Sequence, residues 1–197
     1  MRQIDRINKH YNALHKQFGD DVRSLEWGCE NSQSMRFNVF VETIDFQKRT
    51  VLDVGCGFGD LYAFLRRKNV HCDYLGIDIN EGFIKTSKKK YPKAMFLNRV
   101  INDINGRFDV VIASGIFSSY VSPVFYKKMI PEMFEKTKYA LAFNMLNNYS
   151  TKKLKYQNYY DSLEVLKYCK QFTNWVILRG DYKFNDFTIF MYKNSTK

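Results

Sequence analysis

Val51-Leu52-Asp53-Val54-Gly55-Cys56-Gly57-Phe58-Gly59-Asp60-Leu61 joins a short apolar run to the start of a helical one. A run that is apolar throughout suits a strand buried on both faces. Three glycines at alternate positions after it make a tight turn and let backbone come close to a ligand. At the carboxyl end of the first strand of an α/β sheet, such a loop faces the binding crevice. The stretch departs from the dinucleotide pattern Gly-x-Gly-x-x-Gly, because its sixth position is Asp60. Asp60 would put negative charge where a pyrophosphate must sit, and Asp53 adds a second carboxylate. The loop is a poor phosphate cradle and suits a cationic ligand with an amino-acid end.

Outward from this loop, strands and helices alternate. After the helix Asp60 to Lys68 come a strand at Tyr74–Ile77, a helix over Glu81–Lys90, and strands at Ala94–Leu97 and Phe108–Ala113. A helix over Pro123–Lys136 holds Pro131, which is expected to kink or split it. A strand at Tyr139–Phe143 and a helix over Ser162–Phe172, capped by Asp161 or Ser162, follow. The last two strands, Trp175–Leu178 and Phe187–Tyr192, have no helix between them and should pair antiparallel. The expectation is an α/β, Rossmann-like fold, with a seven-stranded mostly parallel sheet that ends in a C-terminal antiparallel hairpin. Before the sheet, Ile4, Ile7, Tyr11, Leu14 and Phe18 give one apolar helix face, and a second helix is expected from about Ser32 to Asp45 with Ser32 or Ser34 as cap. Residues 1–47 read as a helical N-terminal cap, residues 48–197 as the core, and the whole chain as a single domain.

Composition narrows the class. The 197 residues suffice for one full core, and 45% are hydrophobic, which excludes a disordered or fibrous chain. No apolar run approaches the roughly 20 residues of a membrane span. The start, Met1-Arg2-Gln3-Ile4-Asp5, has no apolar signal segment, so a cytoplasmic location is expected. Cys29, Cys56, Cys72 and Cys169 form no Cys-x-x-Cys pair and do not cluster with His10, His15 and His71; neither a disulfide framework nor a metal site is expected. With 31 basic and 20 acidic residues, the formal charge is +11. A nucleic-acid partner is one reading, but the lysines are scattered and no nucleic-acid module is present, so it is not favoured.

The glycine stretch resembles the first motif of class I S-adenosylmethionine-dependent methyltransferases, Asp-x-Gly-x-Gly-x-Gly, which Asp53, Gly55, Gly57 and Gly59 match position by position. The resemblance implies S-adenosylmethionine as cofactor, S-adenosylhomocysteine as product, and Cys56 within the binding loop. Asp78, closing Gly76-Ile77-Asp78-Ile79, is then the acid for the ribose hydroxyls, with a helix N-cap as its plainer reading. Ile79 is implied against adenine and Asp103 near the adenine amino group. Ala113-Ser114-Gly115 resembles the fourth motif and places Ser114 near the reactive methyl, while Asp109 reads as the start of a strand. Trp27-Gly28, Ser32-Gln33 and Arg36-Phe37, with Phe143-Asn144-Met145-Leu146, Tyr159-Tyr160-Asp161, Asp181-Tyr182 and Asp186-Phe187-Thr188, resemble small bacterial methyltransferases. There Arg36 is a candidate for the methionyl carboxylate and Trp27 for closure over the cofactor. Packing between N-terminal helices is the alternative for both.

The sulfonium is already an activated methyl donor, so in-line placement of the nucleophile supplies much of the acceleration. A general base is optional, and the candidates are His10, His15, Tyr11 and Tyr160. The expected reaction is methyl transfer to oxygen or nitrogen of a small-molecule acceptor, held by the N-terminal helices and Asn144–Tyr160, whose Tyr149, Tyr156, Tyr159 and Tyr160 would line a pocket or pack a lid. An RNA or protein methyltransferase is the alternative. Ala113-Ser114-Gly115-Ile116 lacks the Asn/Asp-Pro-Pro-aromatic run of enzymes that methylate exocyclic amines of bases.

Overall fold

The computed structural model describes residues 3–194. Helices α1 (Gln3–Phe18) and α2 (Glu30–Thr43) precede strand β1 (Thr50–Val54). There follow α3 (Asp60–Arg67), β2 (Asp73–Asp78), α4 (Glu81–Lys90), β3 (Met95–Asn98), β4 (Phe108–Ala113), α5 (Tyr126–Glu135), β5 (Thr137–Leu146), α6 (Ser162–Cys169), β6 (Val176–Arg179) and β7 (Asp186–Tyr192). The seven strands lie in the order β3-β2-β1-β4-β5-β7-β6. All neighbours up to β5 are parallel, and β7 runs antiparallel between β5 and β6. This is the Rossmann-like architecture expected, hairpin included.

Alternation along the strands divides the core. Leu52, Val54, Val111, Leu141 and Ile189 point to one face, where α5 and α6 bring Ile130, Met133 and Val165. Val51, Val110, Ile112, Ala140 and Phe190 point to the other, where α2 and α3 bring Phe37, Phe40, Phe64 and Leu65. Burial on both faces explains why the strand sequences are mostly apolar rather than alternating.

Several boundaries differ from the sequence reading. Helix α2 begins at Glu30, with Cys29 at its cap making no side-chain bond. Ser32 therefore sits inside the helix, where its hydroxyl accepts from Arg36 and Lys183. Strand β5 runs on to Leu146 because β7 pairs with it through Leu146↔Asp186. Helix α5 starts at Tyr126 and carries Pro131 without ending there. Helix α6 stops at Cys169, and its cap is Asp161, which accepts from Leu163 N and Glu164 N at 2.8 and 3.1 Å. No helix among the described residues is long and apolar enough to cross a membrane.

Asp109 clips two strand starts together. Its carboxylate accepts from both Thr50 N and Thr50 Oγ1 at 2.8 Å, and Thr50 Oγ1 accepts from Asp109 N at 2.8 Å. Those bonds hold its carboxyl below the usual range. Asp109→Ala is expected to lower unfolding free energy by about 1–2 kcal/mol in urea melts, with cofactor affinity unchanged.

Helix α1 buries none of its described residues. Its apolar face is turned onto a cavity rather than onto core: Ile4, Ile7 and Tyr11 line that cavity. Asn8 Nδ2 donates to Ile79 O at 3.3 Å and Asn80 Nδ2 donates to Asn12 Oδ1 at 2.8 Å, so polar clips hold α1 over the carboxyl end of β2.

Candidate active site

The loop after β1 is fixed by its own backbone. Gly55 N and Cys56 N both donate to Ile77 O, at 2.8 and 3.0 Å. Gly57 N donates to Asp78 Oδ2 at 3.0 Å, and Asp78 Oδ1 accepts from Asn80 N at 2.8 Å. Gly55 has φ +76, and a Cβ there would run into the Ile116 side chain. Gly57 has φ +53, with Leu25 methyls 3.0 Å from where its Cβ would be. Only glycine meets both demands, left-handed backbone and close approach.

Above this loop lies a cavity of about 480 Å³, at the carboxyl ends of β1, β2 and β4 and beneath α1. Of the expected cofactor residues, Trp27, Asp53, Gly55, Cys56, Gly57, Asp78, Ile79 and Ser114 line it. Three do not. Gly59 is spent as the N-cap of α3. Asp103 ends a 3-10 turn, Ile101–Asp103, and is exposed; its neighbours Ile101 and Asn102 line the cavity instead. Arg36 turns away, and its Nη2 donates to Asp186 Oδ1 at 2.6 Å.

The expected bases also separate. Tyr11 lines the cavity, and its hydroxyl donates to Glu26 Oε2 at 3.3 Å. His10 stands behind it, with Nε2 3.0 Å from Glu26 Oε1 and its ring stacked on Tyr120 at 3.9 Å. His15 pairs with Asp20 at 3.1 Å and packs on Phe58 and Phe83, off the cavity. Tyr160 is core: its hydroxyl donates to Phe117 O at 2.8 Å. Glu26, which ties His10 to Tyr11, carried no sequence signal.

The glycine-loop end of the cavity is acidic, and Arg99 and Lys128 also line the cavity. Burial pushes Asp53 up to about 7, aided by the nearby charges of Asp78 and Asp60 and opposed by the Tyr74 hydroxyl. Burial pushes Asp78 up to about 6, against the backbone N–H donors of Asn80 and Gly57. Asp60, bonded to Gln33 Nε2 at 2.9 Å, is raised for the same reason. No salt bridge reaches any of the three among the described residues. Gln3 Nε2, Asn8 Oδ1 and Ser119 Oγ are buried without a hydrogen-bond partner, and all three residues line the cavity. Carboxylates without a counter-ion and orphaned polar atoms fit a ligand that carries positive charge and hydroxyl groups. S-Adenosylmethionine, with a sulfonium, an ammonium and a ribose diol, has that chemistry.

A second cavity of about 280 Å³ adjoins the first and shares Leu25, Trp27 and Gly115 with it. N-terminal residues Ser32 and Arg36 and the segment Asn144–Gln157 contribute to its wall. The four tyrosines expected there do not: Tyr149 and Tyr156 are exposed, Tyr159 bonds Gln157 and the Leu154 backbone, and Tyr160 is core.

Residues 52–144 match a family model described as "Methyltransferase domain". The chain is 25% identical over 156 residues to the Mycobacterium tuberculosis protein named "Putative methyltransferase Rv1506c", covering 74% of this chain and 94% of that one. Among solved structures, magnesium protoporphyrin IX methyltransferase from Synechocystis PCC 6803, with bound S-adenosylmethionine, superposes with a TM-score of 0.70 at 13% identity, over 98% of both chains. Phosphoethanolamine N-methyltransferase 1 from Haemonchus contortus gives a TM-score of 0.70 at 12% identity, over 96% of this chain and 48% of that one. The glycine loop on β1, the acid that closes β2 and the reversed β7 thus sit in a chain whose residues 52–144 match a methyltransferase-domain model and whose fold is that of S-adenosylmethionine-dependent methyltransferases.

Proposed function

We propose that the chain transfers the methyl group of S-adenosylmethionine to oxygen or nitrogen of a small-molecule acceptor by in-line displacement. The observation that carries this reading is the set of carboxylates, Asp53, Asp60 and Asp78, that converge on the glycine-loop end of the cavity with no salt bridge to any of them among the described residues. In this reading Asp78 takes the ribose hydroxyls, and Ile79, Ile101 and Asn102 bound the adenine. Asp53 and the backbone of Gly55–Gly57 face the methionyl end, and Trp27 and Tyr11 cover it. Ser114 and Gly115 stand where the methyl would leave. Helix α1 and the Trp27 segment act as a cap within one domain.

The acceptor seat in this reading is the second cavity, which meets the first at Trp27 and Gly115. Its volume of about 280 Å³ suits a small molecule better than a polymer. The structural neighbours are named for acceptors as unlike as a magnesium porphyrin and phosphoethanolamine, so the shared fold does not select one. A cytoplasmic location is consistent with these features.

Titration calorimetry tests the cofactor. S-Adenosylmethionine and S-adenosylhomocysteine are expected to bind in the micromolar range, with NAD at least a hundredfold weaker because its pyrophosphate would meet Asp60. Absence of heat with S-adenosylmethionine, or parity with NAD, would overturn the reading.

A further inference from the structure

The second cavity lies where the carboxyl ends of β4 and β5 meet the start of β7, across Gly115 from Asp53 and Asp78. Its charged groups fall into two sets with opposite character. We propose that it seats an acceptor with two unlike ends: a nucleophilic hydroxyl or amine at Glu26, and a carboxylate or phosphate at Arg36 and Lys183. The inference rests on the first cavity being the cofactor's.

The basic end is built, not incidental. The Arg36 side chain is 7% exposed and Asp186 is 1% exposed. Arg36 is held by Asp186 at 2.6 Å, by Ser32 Oγ at 3.3 Å, and by the Trp27 ring at 4.4 Å. Lys183 Nζ reaches the other oxygen of Asp186 at 3.1 Å and donates to Ser32 Oγ at 2.6 Å. Two cations thus share one carboxylate, which leaves one positive charge uncompensated beside a largely buried guanidinium. A charge kept from water favours a pairing partner. An arginine fork beside a lysine matches the oxygens of a carboxylate or phosphate.

The acid end is Glu26, on the residue before Trp27. Glu26 has φ +58 and ψ 22, and its N–H closes the preceding 3-10 turn on Arg23 O and Val22 O. Left-handed closure of that kind ordinarily falls to glycine or asparagine. The turn therefore explains the backbone shape but not the choice of glutamate. The side chain does: it is 12% exposed, lines the cavity, and is oriented by His10 and Tyr11. Tyr120, on which His10 stacks, also has φ +58, one of four non-glycine residues with positive φ among the described residues. Glu26 and Tyr120 thus meet at His10 in left-handed backbone, and strain of this kind gathers at working sites.

In the transfer, a lone pair on the acceptor oxygen or nitrogen forms the new bond to the methyl carbon as the carbon–sulfur bond breaks. The bonding pair stays on sulfur and leaves neutral S-adenosylhomocysteine. The acceptor's proton passes to the Glu26 carboxylate, with His10 3.0 Å behind it as the further proton relay.

The test uses the full chain loaded with S-adenosylhomocysteine and three probes of similar size: benzoate, benzylamine and 3-(aminomethyl)benzoate, with methyl phosphate as the phosphate arm. The two-ended probe is expected to bind at least tenfold tighter than either one-ended probe. Lys183→Gln should remove the gain from the carboxylate and Glu26→Gln the gain from the ammonium, each with S-adenosylhomocysteine affinity within threefold of wild type. Methyl phosphate binding tighter than benzoate would assign the anion as phosphate, and the reverse as carboxylate. A two-ended probe no tighter than the better one-ended probe, or variants that do not discriminate the two ends, would overturn the proposal. So would loss of cofactor-product affinity in either variant, because the cavities would then not be separable. A wild-type chain that cannot be loaded with S-adenosylhomocysteine would instead defeat the cofactor reading.

Discussion

Asp78→Ala lowers S-adenosylmethionine affinity about a hundredfold or more in titration calorimetry. Each carboxylate oxygen already accepts one backbone N–H, from Gly57 at 3.0 Å and from Asn80 at 2.8 Å. Each has a second lone pair left, which is what a ribose diol requires. Hydrogen bonds to a charged group contribute about 1.5–3 kcal/mol each, and 1.4 kcal/mol is a factor of ten. Two such bonds therefore exceed a hundredfold, and loosening of the loop at Gly57 adds to the loss. Asp78→Asn is not expected to rescue binding. An amide has one oxygen for two backbone donors, so its own NH₂ would face either Gly57 N–H or Asn80 N–H. A dissociation constant within fivefold of wild type for Asp78→Ala would show that the ribose is held elsewhere.

That Asp78 can be singled out from sequence reflects how local its surroundings are. The loop from Gly55, the acid on β2 and the strands under them are set by runs of a few residues, and their places at the cavity follow from the parallel α/β plan. Where contacts are distant in sequence, the reading fails in instructive ways. Arg36 is expected at the methionyl carboxylate, but Asp186 on β7, 150 positions later, draws it to the wall of the second cavity instead. Asp103 is displaced by one residue because the link after β3 closes as a 3-10 turn, which turns Asn102 rather than Asp103 toward the cavity. Tyr160 is taken into the core by a bond to Phe117 O that no spacing foretells. Glu26 leaves no trace at all, since a glutamate in left-handed backbone has no pattern. The apolar face of α1 was legible, but not that a cavity would meet it in place of core.

Asp53→Asn should make the cofactor-free protein more stable and the cofactor weaker, with both effects depending on pH. Asp53 is 2% exposed and accepts from the Tyr74 hydroxyl at 2.5 Å, a bond that an asparagine oxygen can keep. In the unfolded chain an aspartate titrates near 3.9. In the fold Asp53 holds its proton up to about 7. Between those values the native state binds more protons than the unfolded one, so this group makes stability fall as pH rises; above about 7 the whole penalty is present. At 1.36 kcal/mol per pH unit the penalty at pH 8 is on the order of 4 kcal/mol, and less than half of it has developed by pH 5. The amide removes it, so a melting temperature roughly 8–16 °C above wild type is expected at pH 8, with the gain shrinking toward pH 5. Cofactor binding runs the other way. A sulfonium favours the ionised carboxylate, so wild-type affinity should rise about tenfold or more from pH 5.5 to 7.5. The variant should lose that part of the rise and keep only the part set by Asp78, whose carboxyl is pushed up to about 6. Calorimetry at the two pH values and melts at pH 5 and 8 separate these outcomes. A variant no more stable than wild type at pH 8 would mean that Asp53 is not under strain in the empty site. An unchanged pH slope of binding would mean that the positive charge of the cofactor is met by another group. If both effects appear, the buried acids beside the glycine loop destabilise the empty protein in the same form that lets them hold the cation.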